Sequence, residues 1–89
     1  MIEHDAEAQR FVQRLENEDA FLSYEERDGL LDLQHTVVPK AARRRGIGEA
    51  LVTEAMRYAR EHDLRVRPTC RFVQQWLIEH PEARDLVTA

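Results

Sequence analysis

A single cysteine, Cys70, stands among the 89 residues, so the chain cannot close an internal disulfide, which fits a reducing compartment. No apolar run approaches the length that spans a bilayer. The opening Met1-Ile2-Glu3-His4-Asp5 lacks the basic and hydrophobic parts of a secretion signal. Repeats, low-complexity tracts and linkers are missing as well. The expectation is one soluble cytoplasmic domain, small but able to bury its own core. Positive charge is in the minority: 13 Lys and Arg stand against 17 Asp and Glu, a formal net charge of −4. That balance gives no global attraction to nucleic acid or to an anionic membrane, so neither is expected as a partner. No metal site is assigned.

The most telling absence is a helix cap. An apolar strand runs into Pro39, a basic loop follows at Arg43-Arg44-Arg45, and Gly46-Ile47-Gly48 opens an amphipathic helix. A helix start carries partial positive charge and unpaired N–H groups, and it favours acidic residues and Ser, Thr, Asp or Asn caps. Three arginines sit there instead. That is a poor folding device and a sensible anion site, since a phosphate-bearing ligand supplies both the missing charge and the missing acceptors. Gly46 and Gly48 let backbone amides approach a bulky anion, and glycine takes positive φ freely. Two nucleotide motifs are absent. There is no P-loop, and Leu51 stands where a dinucleotide fold has its third glycine.

Read in order, residues 1–8 form an acidic lead-in without periodicity, and a single domain covers 9–89. Gln9–Glu16 reads as a first strand, Ala20–Glu25 as a second and Leu30–Val38 as a third, with Asp28-Gly29 as a hairpin turn. In the third strand, strict alternation puts Leu31, Leu33, His35 and Val37 on one face. The helix from Ile47 to about His62 presents Leu51, Val52, Ala55 and Ala59 as its apolar stripe. A short strand at Leu64–Arg67 ends at Pro68. A second helix, from about Cys70 to His80 and capped by Thr69, buries Phe72, Val73, Trp76 and Leu77. Leu86-Val87 in the tail suffices for a docking contact. The fold class is α+β: a three-stranded antiparallel meander plus one parallel strand reached by a right-handed crossover helix, β-β-β-α-β-α. The anion loop then lies at the C-terminal end of a parallel strand, where such sheets bind ligands.

Arg43-x-x-Gly46-x-Gly48 between strand and helix resembles the coenzyme A loop of the GNAT N-acetyltransferase superfamily. The ordered series His35-Thr36-Val37-Val38-Pro39, Gly46-Ile47-Gly48, Pro68-Thr69-Cys70, Phe72-Val73 with Trp76, and His80-Pro81 is similar to its short single-domain branch. The resemblance implies acetyl-coenzyme A as cofactor. It implies a pantetheine arm paired with the strand edge at Thr36, Val37 and Val38, and a pyrophosphate on the backbone from Arg43, Arg44 and Arg45 through Gly46, Ile47, Gly48 and Glu49. A main-chain N–H near Val38 would polarise the thioester carbonyl. Three departures from the branch stand out. Arg44 occupies a position that is often glycine, the proline lies one residue further from the glycines, and Val37 replaces a frequent acidic residue.

Two side chains are candidates for chemistry. Cys70 begins a helix beside Arg67 and Arg71, where the helix terminus and nearby cations favour a thiolate. It would accept the acetyl group or give a proton to departing coenzyme A. The alternative is a half-buried structural cysteine. His35 is a candidate general base, with a packed, hydrogen-bonded core histidine as the competing reading. The expected function is transfer of acetyl from acetyl-coenzyme A to an unknown small-molecule, peptide or protein amine. The alternative is a non-catalytic acyl-coenzyme A-binding module acting through a partner protein. The chain lacks the extra elements that build an acceptor pocket in longer superfamily members. Either the acceptor site is shallow or a second subunit, a homodimer partner in the simplest case, completes it.

Overall fold

Strands follow one another as far as Val37 in the computed structural model, which describes residues 1–88. They are β1 (Ile2–Asp5), β2 (Arg10–Gln13), β3 (Ala20–Arg27) and β4 (Leu30–Val37). A 3-10 turn at Lys40–Ala42 leads to helix α1 (Ile47–Glu61), then to β5 (Arg65–Pro68), helix α2 (Arg71–Glu79) and a second 3-10 segment, Pro81–Leu86. The sheet order is β1-β2-β3-β4-β5, antiparallel except for the parallel pair β4-β5 joined through α1. The α+β meander-plus-crossover class is therefore the observed one.

One expectation is corrected. Residues 1–8 are not a loose lead-in: Ile2–Asp5 pair with Gln13–Arg10 as a fifth, edge strand. Of its two core-facing residues, Ile2 and His4, only the first is apolar, so it offers no hydrophobic alternation to read. Its hold is aromatic. The His4 ring stacks on Phe11 at 4.3 Å between centroids, and its Nε2 lies 2.6 Å from the Tyr24 hydroxyl.

The β3-β4 hairpin turns on Asp28 and Gly29, both at positive φ (52° and 80°). That geometry is the one a two-residue loop needs to match strand twist. One face of the sheet packs on the helices. Phe11, Leu22, Leu31, Leu33, Leu51, Val52, Val66 and Val73 are fully buried between the layers. Cα extents of 37 × 29 × 19 Å suit one sheet and one helix layer. The outer edge of β5 is covered by the tail: Val87 bridges to Val66, the Thr88 N–H donates to the Val66 carbonyl at 3.0 Å, and Leu86 is buried.

A β-bulge sets the site. Ser23 pairs with His35 but Tyr24 pairs with Leu33, which leaves Gln34 as an extra residue on β4. Up to Leu33 the odd positions face the helices. Beyond the bulge the even position Thr36 does so, opposite buried Leu22. His35 and Val37 turn to the other face and are exposed. The alternation read from sequence fails here because one inserted residue reverses every side chain after it.

Candidate functional site

The loop before α1 is built from two left-handed residues. Arg44 has φ 69° and Gly46 has φ 75°. A Cβ on Gly46 would meet nothing closer than 3.9 Å, so conformation rather than space calls for glycine there. Gly46 is the N-cap of α1 and no side chain caps the helix. The first internal bond runs from the Ala50 N–H to the Gly46 carbonyl at 3.0 Å. The N–H groups of Ile47, Gly48 and Glu49 precede it and point out of the helix end. Glu49 supplies the only acidic group of the first turn.

Gly48 has a role the sequence did not reveal. It is buried, and a Cβ there would lie 2.9 Å from the tip of the Phe72 ring. Phe72 itself is 40% exposed rather than buried in the core as expected. Its ring lies over the start of α1 and forms part of a wall.

Between β4 and β5 the sheet forks. The last pair is Leu33 with Pro68, after which the Cys70 N–H donates to the Leu33 carbonyl at 2.9 Å. Across the opening, the Thr36 hydroxyl lies 3.4 Å from the Cys70 sulfur. Cys70 is the N-cap of α2, in place of Thr69, whose hydroxyl instead donates to the Asp32 carboxylate. Burial pushes the Cys70 thiol up. The Thr36 hydroxyl and the N–H groups of Val73, Phe72 and Thr36 outweigh it and hold the pKa below its ordinary value. The lowering comes from neutral dipoles rather than from Arg67 or Arg71, the cations that the sequence puts beside it.

These parts surround a cleft of about 710 Å³. Nine of the twelve residues assigned a catalytic or coenzyme role from sequence line it: Thr36, Val37, Val38, Arg43, Arg44, Gly46, Ile47, Gly48 and Glu49. Three do not. They are Arg45, which is exposed, Cys70, whose sulfur lies 3.4 Å from the Thr36 hydroxyl, and His35, which the bulge turns to the exposed face of β4. The opposite wall is α2, through Phe72, Gln75, Trp76 and Glu79. Their i, i+3, i+4, i+7 spacing was the available signal, and it marks the stripe of a helix that faces something. Sequence reading assigned that something to the core alone. The cleft thus has cations and free N–H groups at one end, strand backbone along one side and an aromatic wall along the other. Such a lining suits a long ligand with phosphate at one end and amides in the middle. Among the described residues no helix is long and apolar enough to cross a membrane, and no group of three or more metal-ligating side chains occurs.

A family model described as GCN5-related N-acetyl-transferase matches residues 10–86. Protein NATD1 of Bos taurus is 40% identical over 83 residues, 90% of this chain and 74% of that protein. Protein NATD1 of Homo sapiens is 39% identical over the same length, again 90% and 74%. Protein NATD1 of Danio rerio is 38% identical over 88 residues, 96% of this chain and 80% of that protein.

Proposed function

The chain belongs to the GCN5-related N-acetyltransferase family, and we propose that it binds acetyl-coenzyme A in the cleft and transfers the acetyl group to an amine. The observation that carries this reading is the uncapped mouth of α1, where free N–H groups and the Arg43 and Arg44 side chains border one end of the cleft. The pyrophosphate would be held by the N–H groups of Ile47, Gly48 and Glu49 and by those two arginines. The β4 backbone from Thr36 to Val38 would hold the pantetheine amides, and α2 would close the far side. When bound, the coenzyme supplies a thioester, whose acyl carbon is open to an amine lone pair and whose sulfur departs with the C–S electron pair.

Each protein group then has a definite task. A strand N–H near Val38 steadies negative charge on the carbonyl oxygen. The Cys70 thiol, whose pKa Thr36 and the start of α2 lower, would pass its proton through the Thr36 hydroxyl to the leaving sulfur. The proton shed by the amine restores it, so no net charge is left behind. His35 has no part in this scheme, since it lies on the other face of the sheet.

That same absence favours a second reading. With His35 turned away, the described residues that line the cleft include no histidine and two carboxylates, Glu49 and Glu79. A non-catalytic acyl-coenzyme A-binding module acting through a partner needs no base. One experiment separates the two. Wild-type and Cys70→Ser proteins are incubated with acetyl-coenzyme A and a panel of polyamines and peptide amines, and products are read by mass spectrometry. Acetylated amine from wild type, reduced by about 10²-fold in the variant, supports transfer. Tight coenzyme binding without any product supports the binding module.

A further inference from the structure

Beyond Leu33 the β4 edge and the Val38 that follows it have lost the β5 partner, so their backbone acceptors are left to water, to the loop or to a ligand. One of them is satisfied by the loop itself. The Arg43 Nε donates to the Val38 carbonyl at 3.2 Å, reaching back five residues. Both residues line the cleft. Among the described residues Arg43 makes no ion pair; the arginines that do are Arg14, Arg57 and Arg60. A guanidinium offers five donors, and here a single Nε–H is engaged, on a neutral oxygen. The cation at the phosphate end of the cleft is therefore parked on the backbone acceptor that the amide portion of a ligand would use.

Building on the coenzyme reading above, we propose that Arg43 is a latch coupling the two halves of the cleft. Without an anion it closes the Val38 carbonyl. A phosphate at the mouth of α1 draws the guanidinium away, because hydrogen bonds between ionised partners are roughly twice as strong as neutral ones. The freed carbonyl is then an unsatisfied acceptor beside the cleft, ready for an amide N–H. Phosphate binding thus creates the amide site, and by linkage amide binding promotes phosphate capture by the same factor. A ligand carrying both groups on one chain is selected over either fragment. Lysine would not reproduce the device, since an ammonium lacks the flat fork that can face a carbonyl and then a phosphate.

The test uses the intact protein and the two halves of the coenzyme as separate probes. Pantetheine carries the amides and no charge; adenosine 3′-phosphate 5′-diphosphate carries the phosphates. Trp76 is the sole tryptophan and lines the cleft, so its emission reports occupancy. In wild type, saturating nucleotide is expected to tighten pantetheine binding by about 5-fold or more, the lower end of ordinary coupling between sites. In Arg43→Met, pantetheine alone is expected to bind as tightly as it does to nucleotide-saturated wild type, with the coupling gone. Simple loss of charge would leave uncharged pantetheine unaffected, so that gain is specific to a latch. Independent binding of the two probes to wild type, with coenzyme A itself still bound, would overturn the latch and leave the coenzyme site standing. Failure of coenzyme A to bind wild type would overturn both.

Discussion

At the scale of single residues, the glycines and the arginine among them divide the work in a way that can be tested one position at a time. Arg44 sits at φ 69°, a conformation that costs an L residue roughly 1–2 kcal/mol, which glycine avoids. Arg44→Gly is expected to raise stability by up to about 1 kcal/mol in urea denaturation while weakening coenzyme A binding. A gain in stability paired with a loss of affinity is the result that a ligand role for Arg44 predicts; a gain in stability with affinity unchanged would remove that role. Gly48→Ala behaves differently. The three atoms nearest the new methyl all belong to the far end of the exposed Phe72 ring, which can swing, so the melting temperature should hardly move. The displaced ring enters the cleft, and coenzyme affinity should fall by about tenfold or more, read by calorimetry; an unchanged affinity would show that Phe72 is no part of the wall. The sequence displayed Gly46 and Gly48 as one motif. It could not show that the first serves backbone conformation and the second serves a neighbouring ring, because that neighbour is contributed by α2, far along the chain.

At the scale of elements, what was legible followed from periodicity and turn chemistry. The Asp28-Gly29 hairpin, the α1 stripe and the crossover to β5 all had local signals. What was not legible was set across strands. β1 has no apolar alternation and exists because β2 pairs with it. The bulge at Gln34 is invisible in a single strand, yet it decides that Thr36 and not His35 faces Cys70. The far end of α1 closes with the Leu64 N–H on the Ala59 carbonyl at 2.8 Å and Asp63 at φ 55°, a Schellman-type stop that prefers glycine. Asp63→Gly should therefore stabilise the fold by about 0.5–1 kcal/mol, measured as a shift in denaturation midpoint. β1 carries a pH dependence of its own. Burial lowers the His4 pKa, against opposing pulls from the Glu26 and Glu54 carboxylates. The unfolded chain then binds the proton more readily than the folded one. Stability contributed by neutral His4 is complete above about pH 6.5 and is lost as pH falls through the lowered folded value. Denaturation midpoints compared at pH 7.5 and 5 should show that loss, and His4→Gln should flatten it. An equal slope in the variant would assign the titration to another group.

At the scale of the whole molecule, an acidic chain carries a cleft with two arginines, Arg43 and Arg44, at one end. Those two line the cleft and belong to the three-arginine loop; that loop and the net charge of −4 were readable from residues alone. The depth of the cleft was not, because its second wall comes from α2 and from the fork that β4 and β5 make. Ligand binding to the folded state alone should stabilise the protein by about 2.7 kcal/mol at coenzyme A concentrations 100-fold above Kd. Thermal melts across a coenzyme series should rise accordingly, and melts with adenosine alone should not.

The most direct test of a phosphate seat at the mouth of α1 is titration calorimetry with coenzyme A at low ionic strength, run on wild type beside the Arg43→Met/Arg44→Met pair. One coenzyme per chain on wild type, weakened at least tenfold in the double variant, is the expected result. No heat with wild type, or full affinity retained without the two arginines, would contradict it.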